Sequence, residues 1–164
     1  MKKLLMIAMG LAMGFTACTD RYDNIPLDKS YKGAAFVSMS GEEGVVYMNE
    51  SRNGDPEGVT TDSLALSHVL DHDVRIQLEF VAANSLGEVG KEFDFQKEVE
   101  IKAGQSYGRF TVSGLTISDE QAQDLKLAIS IKSTDDPTII AGLYGRKKAL
   151  AERERFYKTF SFKN

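Results

Sequence analysis

His68-Val69-Leu70-Asp71-His72 places two imidazoles four residues apart, a spacing that on a helix can hold a zinc ion. That chemistry needs a glutamate directly after the first histidine as general base, and Val69 stands there. The surrounding residues alternate with period 2. On a strand the two rings would therefore share a face about 13 Å apart, too far to ligate one ion. The chain has only these two histidines. The expected arrangement is a strand end running into an Asp71-His72-Asp73 turn. Glu42-Glu43 and Asp135-Asp136 fall in turn-like stretches, where solvated acids are expected. Glycoside hydrolysis would need two acids facing each other across a cleft, and spacing along the chain does not show that. No phosphate loop, dinucleotide fingerprint or nucleophile elbow occurs. The expectation is a non-enzymatic protein with no metal and no cofactor.

A different chemistry is available at Cys18. It is the single cysteine among 164 residues, so no intramolecular disulfide can form. Met1-Lys2-Lys3 opens the chain and an uncharged, apolar run follows from Leu4 to Phe15. A positive start followed by an apolar run of this length is the pattern of a secretory signal. Its dozen residues span about 18 Å as a helix, against a hydrocarbon core of ~30 Å, too short for a stable transmembrane anchor. Phe15-Thr16-Ala17 then leads directly into Cys18, with small side chains immediately before it.

This ending resembles the lipobox of bacterial lipoproteins, with Phe15 in place of the usual leucine. The resemblance implies that a peptidase removes residues 1–17. The Cys18 thiol would carry a diacylglycerol thioether, and the new amine an acyl chain such as palmitate. A thiol suits this because nothing else in the segment is as nucleophilic, and two or more chains anchor stably where one does not. Thr19 occupies the position where an inner-membrane retention signal would place Asp, so the resemblance implies a lipid anchor in the outer membrane. Asp20 and Asp23 resemble the acidic surface-export signal of Bacteroidota-type lipoproteins, but Arg21 interrupts them. Cell surface and periplasmic face both stay open.

Cleavage would take Lys2 and Lys3 and no acid from the formal charge of −4, leaving −6. A nucleic-acid binder needs the opposite balance, an excess of Lys and Arg that displaces phosphate counterions. Residues 18–33 are polar and aperiodic, carry Pro26, and are expected to form a flexible tether. The domain proper is then 34–164.

Within it, short segments alternate between apolar and polar residues. In Val74-Arg75-Ile76-Gln77-Leu78-Glu79-Phe80, the residues Val74, Ile76, Leu78 and Phe80 share one face while Arg75, Gln77 and Glu79 face water. That is a half-buried antiparallel strand. Similar runs are Ala35–Val37, Val45–Met48, Ser63–Leu70, Val99–Ile101, Arg109–Val112, Leu125–Ile131 and Phe156–Phe162. They are separated by breaks such as Asn53-Gly54-Asp55-Pro56 and Asp135-Asp136-Pro137. About eight strands at this spacing predict an all-β, antiparallel β-sandwich. Ser118-Asp119-Glu120-Gln121 spells a capping box and predicts a short helical turn over 118–124. The charge-dense stretch 146–155 is either a solvated excursion or a short helix, on which Lys148 and Glu152 would pair.

From Asp73 to Ile131 the order is strand, Gly90-Lys91-Glu92-Phe93-Asp94-Phe95, strand, Ala103-Gly104-Gln105, strand, helical turn, strand. It resembles a Calx-beta-type module, where a glycine precedes an Asp-aromatic pair and an Ala/Pro-Gly-Glu turn follows the next strand. It equally resembles the immunoglobulin-like N-terminal modules of surface lipoproteins from glycan-utilisation systems. The resemblance implies an immunoglobulin-like sandwich. Calcium-binding Calx-beta members cluster acids in their second half, but here only Asp119, Glu120 and Asp124 lie there. Calcium takes six to eight oxygen ligands, so it is not expected.

Glycan binding would use aromatic platforms. Trp is absent, leaving Tyr22, Tyr31, Tyr47, Tyr107, Tyr144 and Tyr157, most of which are expected at strand edges with one wet end. Asp62-Ser63-Leu64 resembles the short sequon of Bacteroidota protein O-glycosylation, which would make Ser63 an acceptor. The functional expectation is a cell-envelope lipoprotein, held to the membrane through Cys18. It would act as an accessory binding or assembly module with a glycan or an outer-membrane protein complex as partner. The alternatives are a structural adhesin or matrix protein that binds other proteins and, more remotely, a hydrolase.

Overall fold

The computed structural model describes residues 34–115, 122, 124–141 and 157–164. Cys18, the expected signal and tether, and the charge-dense stretch 146–155 lie outside the described residues. The expected helical turn over 118–124 lies mostly outside them too, though Ala122 and Asp124 are helical. Ten strands are described: β1 (Phe36–Met39), β2 (Glu43–Tyr47), β3 (Val59–Leu66), β4 (Val74–Phe80), β5 (Phe93–Phe95), β6 (Glu98–Ile101), β7 (Tyr107–Gly114), β8 (Lys126–Thr134), β9 (Ile140–Ala141) and β10 (Tyr157–Lys163). They form two five-stranded sheets in the orders β5-β7-β3-β1-β9 and β2-β10-β8-β4-β6. The fold is the expected all-β, immunoglobulin-like sandwich.

Eight of the ten strands coincide with the alternating runs read from the sequence. β5 and β9 do not, being three and two residues long, too short to display a period. Most pairings are antiparallel, but β1 runs parallel to β9 and β2 parallel to β10. The stretch Ser63–Leu70 shifts relative to expectation: β3 begins at Val59 and ends at Leu66. Its end is set by Ser67, whose Oγ accepts a bond from Phe36 N at 3.0 Å while its own N–H donates to Phe36 O at 2.8 Å. Beyond Ser67 the chain bends away from β1.

The alternation in β4 is realised as read, with Val74, Ile76 and Leu78 buried and Arg75 and Glu79 exposed. β4 and β8 are out of register by one residue beyond Gln77, so that Gln77 faces Ser133 and Leu78 faces Ile131. Lys132 is the extra residue, a bulge that increases local twist. The turn entering β3 is built by Asn53 and Gly54, both at positive φ (54° and 86°), between the reciprocal backbone bonds of Arg52 and Asp55. Asn-Gly adopts this left-handed pair at low steric cost.

Aromatic rings join the two sheets. Phe93 of β5 stacks on Phe162 of β10 at 5.6 Å, and Phe110 of β7 meets Phe160 of β10 edge-on at 6.3 Å. All four are buried, and such pairs add about 0.5–1.5 kcal/mol beyond their burial.

Candidate functional site

On β10 the apolar residues Phe160 and Phe162 point inward, so Tyr157, Thr159, Ser161 and Lys163 must point out. Parallel pairing sets Thr159 opposite Glu43, Ser161 opposite Val45 and Lys163 opposite Tyr47. On the other side, antiparallel pairing sets Ser161 opposite Lys126. β2, β10 and β8 thereby build one polar outer face. The segment leaving β4 raises a wall along it, because Leu86 N–H donates to Lys126 O at 2.7 Å. Leu86 itself is 60% exposed, an apolar rim beside a polar floor.

The result is an open groove of about 380 Å³. Val45, Thr159 and Ser161 form its floor, with Leu86, Asp124 and Leu125 along one side. Glu43, Asp124, Lys126 and Lys163 contribute two carboxylates and two ammonium groups. None of the ion pairs formed among the described residues involves these four groups. All four are exposed to solvent along the groove. Its volume lies within the ~300–1,000 Å³ of small-ligand sites.

At the end of the groove, Tyr47 holds the Arg52 guanidinium 3.9 Å above its ring, and Glu50 pairs with Arg52 at 2.9 Å. Tyr107 and Tyr157 are well exposed. Tyr107 lies on the opposite sheet with Arg109 5.8 Å from its ring. Tyr22, Tyr31 and Tyr144 lie outside the described residues. Ser63 sits in the middle of β3, the central strand of its sheet. By alternation it faces outward, since Leu64 and Leu66 face the core, and it is half-buried.

The neighbouring Asp62 is committed elsewhere. It shares the inward phase of Leu64, and its carboxylate meets Lys158 Nζ of the other sheet at 2.5 Å, with side chains only 9% and 5% exposed. Asp62 Oδ1 also accepts from Ser40 Oγ at 2.6 Å and Ser63 N at 2.7 Å. Lys158 Nζ donates further to Ser40 O at 3.1 Å. The sequence carries one signal of this pair, a lysine in phase with Phe160 and Phe162. The run Phe156–Phe162 does not by itself show what faces that lysine.

The histidines do not converge. His72 is held by Asp71 Oδ1 at 2.9 Å and Asp136 Oδ2 at 3.1 Å, tying the β3–β4 turn to the β8–β9 turn. Asp71 first, then Asp136, raise the His72 pKa above its ordinary value. The Asp136 carboxyl is lowered, chiefly by the Thr138 hydroxyl and backbone N–H and then by His72. Asp73 is lowered by Ala103 N–H and then Lys102, which fixes the Ala103-Gly104-Gln105 turn at the same end of the sandwich. Asp135 accepts from Arg75 N at 2.9 Å. No group of three or more His, Cys, Asp or Glu suited to a metal occurs among the described residues.

No protein-family model and no curated protein sequence matches the chain. Several solved structures share its fold. A Bacteroides ovatus protein of unknown function aligns with a TM-score of 0.61 at 10% identity, covering 80% of this chain and 52% of its own. The apo-form Calx CBD1 domain aligns at 0.55 and 10% identity, over 79% of this chain and 96% of that domain. CBD12 of CALX1.2 also gives 0.55 and 10%, over 77% and 43%. This chain thus spans about half the length of the first of these and nearly all of the single Calx domain. At such identities the likeness carries the fold: a Calx-beta-like β-sandwich.

Proposed function

We propose that the protein is a non-enzymatic, lipid-anchored binding module of the outer membrane, and that the β2–β10–β8 groove is its ligand site, with glycan as the ligand. The groove carries this reading. It sets carboxylates, ammonium groups and hydroxyls beside the apolar Leu86 and Val45, and a sugar presents the matching mixture of hydroxyl donors and acceptors with apolar C–H faces. An open groove also admits an internal stretch of a longer chain. The lipobox-like Phe15-Thr16-Ala17-Cys18 supports envelope anchoring, and Ser63 is proposed as an O-glycan acceptor on the opposite sheet.

A glycan array probed with the full chain tests the ligand class. The expected outcome is reproducible sugar binding that disappears when the floor is filled by Ser161→Trp, with the sandwich intact by circular dichroism. Silence on the array together with stable protein capture would favour the adhesin reading.

A further inference from the structure

We infer that the groove selects a uronic-acid oligosaccharide, holding one sugar carboxylate between Lys126 and Lys163. This rests on the reading of the groove as a glycan site and specifies its ligand. Lys126 lies directly across from Ser161, and Lys163 follows Ser161 by two residues on the same face. The two lysines are therefore diagonal neighbours on adjacent strands, about 7–8 Å apart at the backbone. Flexible four-carbon stems let both ammonium groups reach one small anion, with the Ser161 hydroxyl between them as a third donor. Neither lysine pairs with an acid in any ion pair of the described residues, and both are exposed along the groove.

The same floor also limits how much negative charge the ligand can carry. Asp124 and Glu43 line the groove as well, so its four charged side chains sum to zero. A polyanion such as a nucleic acid or a densely sulfated chain would meet these carboxylates at close range. A single carboxylate flanked by neutral hydroxyls limits that encounter to Asp124, two residues before Lys126. Glu43 and Asp124 then accept from hydroxyls on the neighbouring rings, and Leu86 covers a C–H face. The pattern is one anion set among hydroxyls, which is the chemistry of a uronic acid within a saccharide.

Titration calorimetry on the full chain tests this with three kinds of probe of equal length: tetrasaccharides that carry one galacturonic, glucuronic or mannuronic acid among neutral sugars, their methyl esters, and a neutral gluco-oligosaccharide. At least one free acid is expected to bind, with affinity falling as salt rises, and its ester to bind about tenfold more weakly. Lys126→Ala and Lys163→Ala are each expected to lose about tenfold toward the acid, with Lys126→Arg retaining most of the affinity. Equal binding of acid and ester, or acid binding unchanged in Lys126→Ala/Lys163→Ala, would overturn the inference. Binding of the neutral probe alone would remove the uronate while leaving the glycan reading in place. An absence of binding to every sugar would remove both.

Discussion

Lys158 lies on a strand whose inward residues are otherwise Phe160 and Phe162, and it is there because Asp62 of the facing sheet supplies a buried countercharge. Both partners are further satisfied, by Ser40 O on one side and by Ser40 Oγ and Ser63 N on the other. Removing one partner leaves a buried charge without compensation. Lys158→Ala is therefore expected to cost about 3–5 kcal/mol, read as a shift in the denaturant midpoint, and the paired change Asp62→Leu/Lys158→Met to recover most of it. His72 gives a pH-dependent counterpart. Its pKa is raised in the folded state, so its contribution is complete below the unfolded value of about 6.5 and is lost as pH rises through the folded value. Asp71 and Asp136 are lowered, so their contribution is present above the ordinary carboxylate range and lost as pH falls through their folded values. The bridge is thus strongest in mildly acidic solution. The stability difference between the native chain and His72→Gln is expected to shrink steadily as pH rises above about 6.5. A difference that stays constant through neutral pH would overturn that account.

β10 belongs both to the core and to the groove. It enters between β2 and β8, sends Phe160 and Phe162 to meet Phe110 and Phe93, and turns Thr159, Ser161 and Lys163 to the groove. One strand thus links core to site. Against β6 of the other sheet, β7 carries Gly108. A methyl group there would lie 2.8 Å from Ile101 Cγ1 and Val99 Cγ1, and 2.9 Å from Glu100 O. Gly108→Ala is accordingly expected to destabilise by about 1–3 kcal/mol through overpacking, measured by chemical denaturation. The altered boundaries of β3 show how a long-range bond overrides local pattern. Alternation continues through His68 and Leu70 in the sequence, yet Ser67 ends the pairing by closing onto Phe36. β5 and β9 escaped notice because two or three residues cannot show a period. Their pairings with β7 and β1 come from the chain around them.

For the whole molecule, the proposal places a β-sandwich on a lipid tether, so membrane attachment and ligand binding separate physically. Cys18→Ala is expected to abolish incorporation of labelled acyl chains and release the protein from the membrane fraction, without altering sugar affinity in the groove. Labelled chains persisting in that variant would overturn the anchor. Local chemistry along the chain was enough to indicate an all-β class and most strand faces, because each depends on period-2 alternation among near neighbours. The Asp94-Phe95 and Ala103-Gly104-Gln105 landmarks were legible through the resemblance to a Calx-beta-type module. The groove was not, since Glu43, Lys126 and Ser161 meet only when β10 inserts between β2 and β8. Nor was the Asp62–Lys158 pair, whose partners are 96 positions apart on facing sheets. Strand order and inter-sheet contact depend on how distant segments pack together, and period-2 alternation shows which face is buried without showing what lies against it.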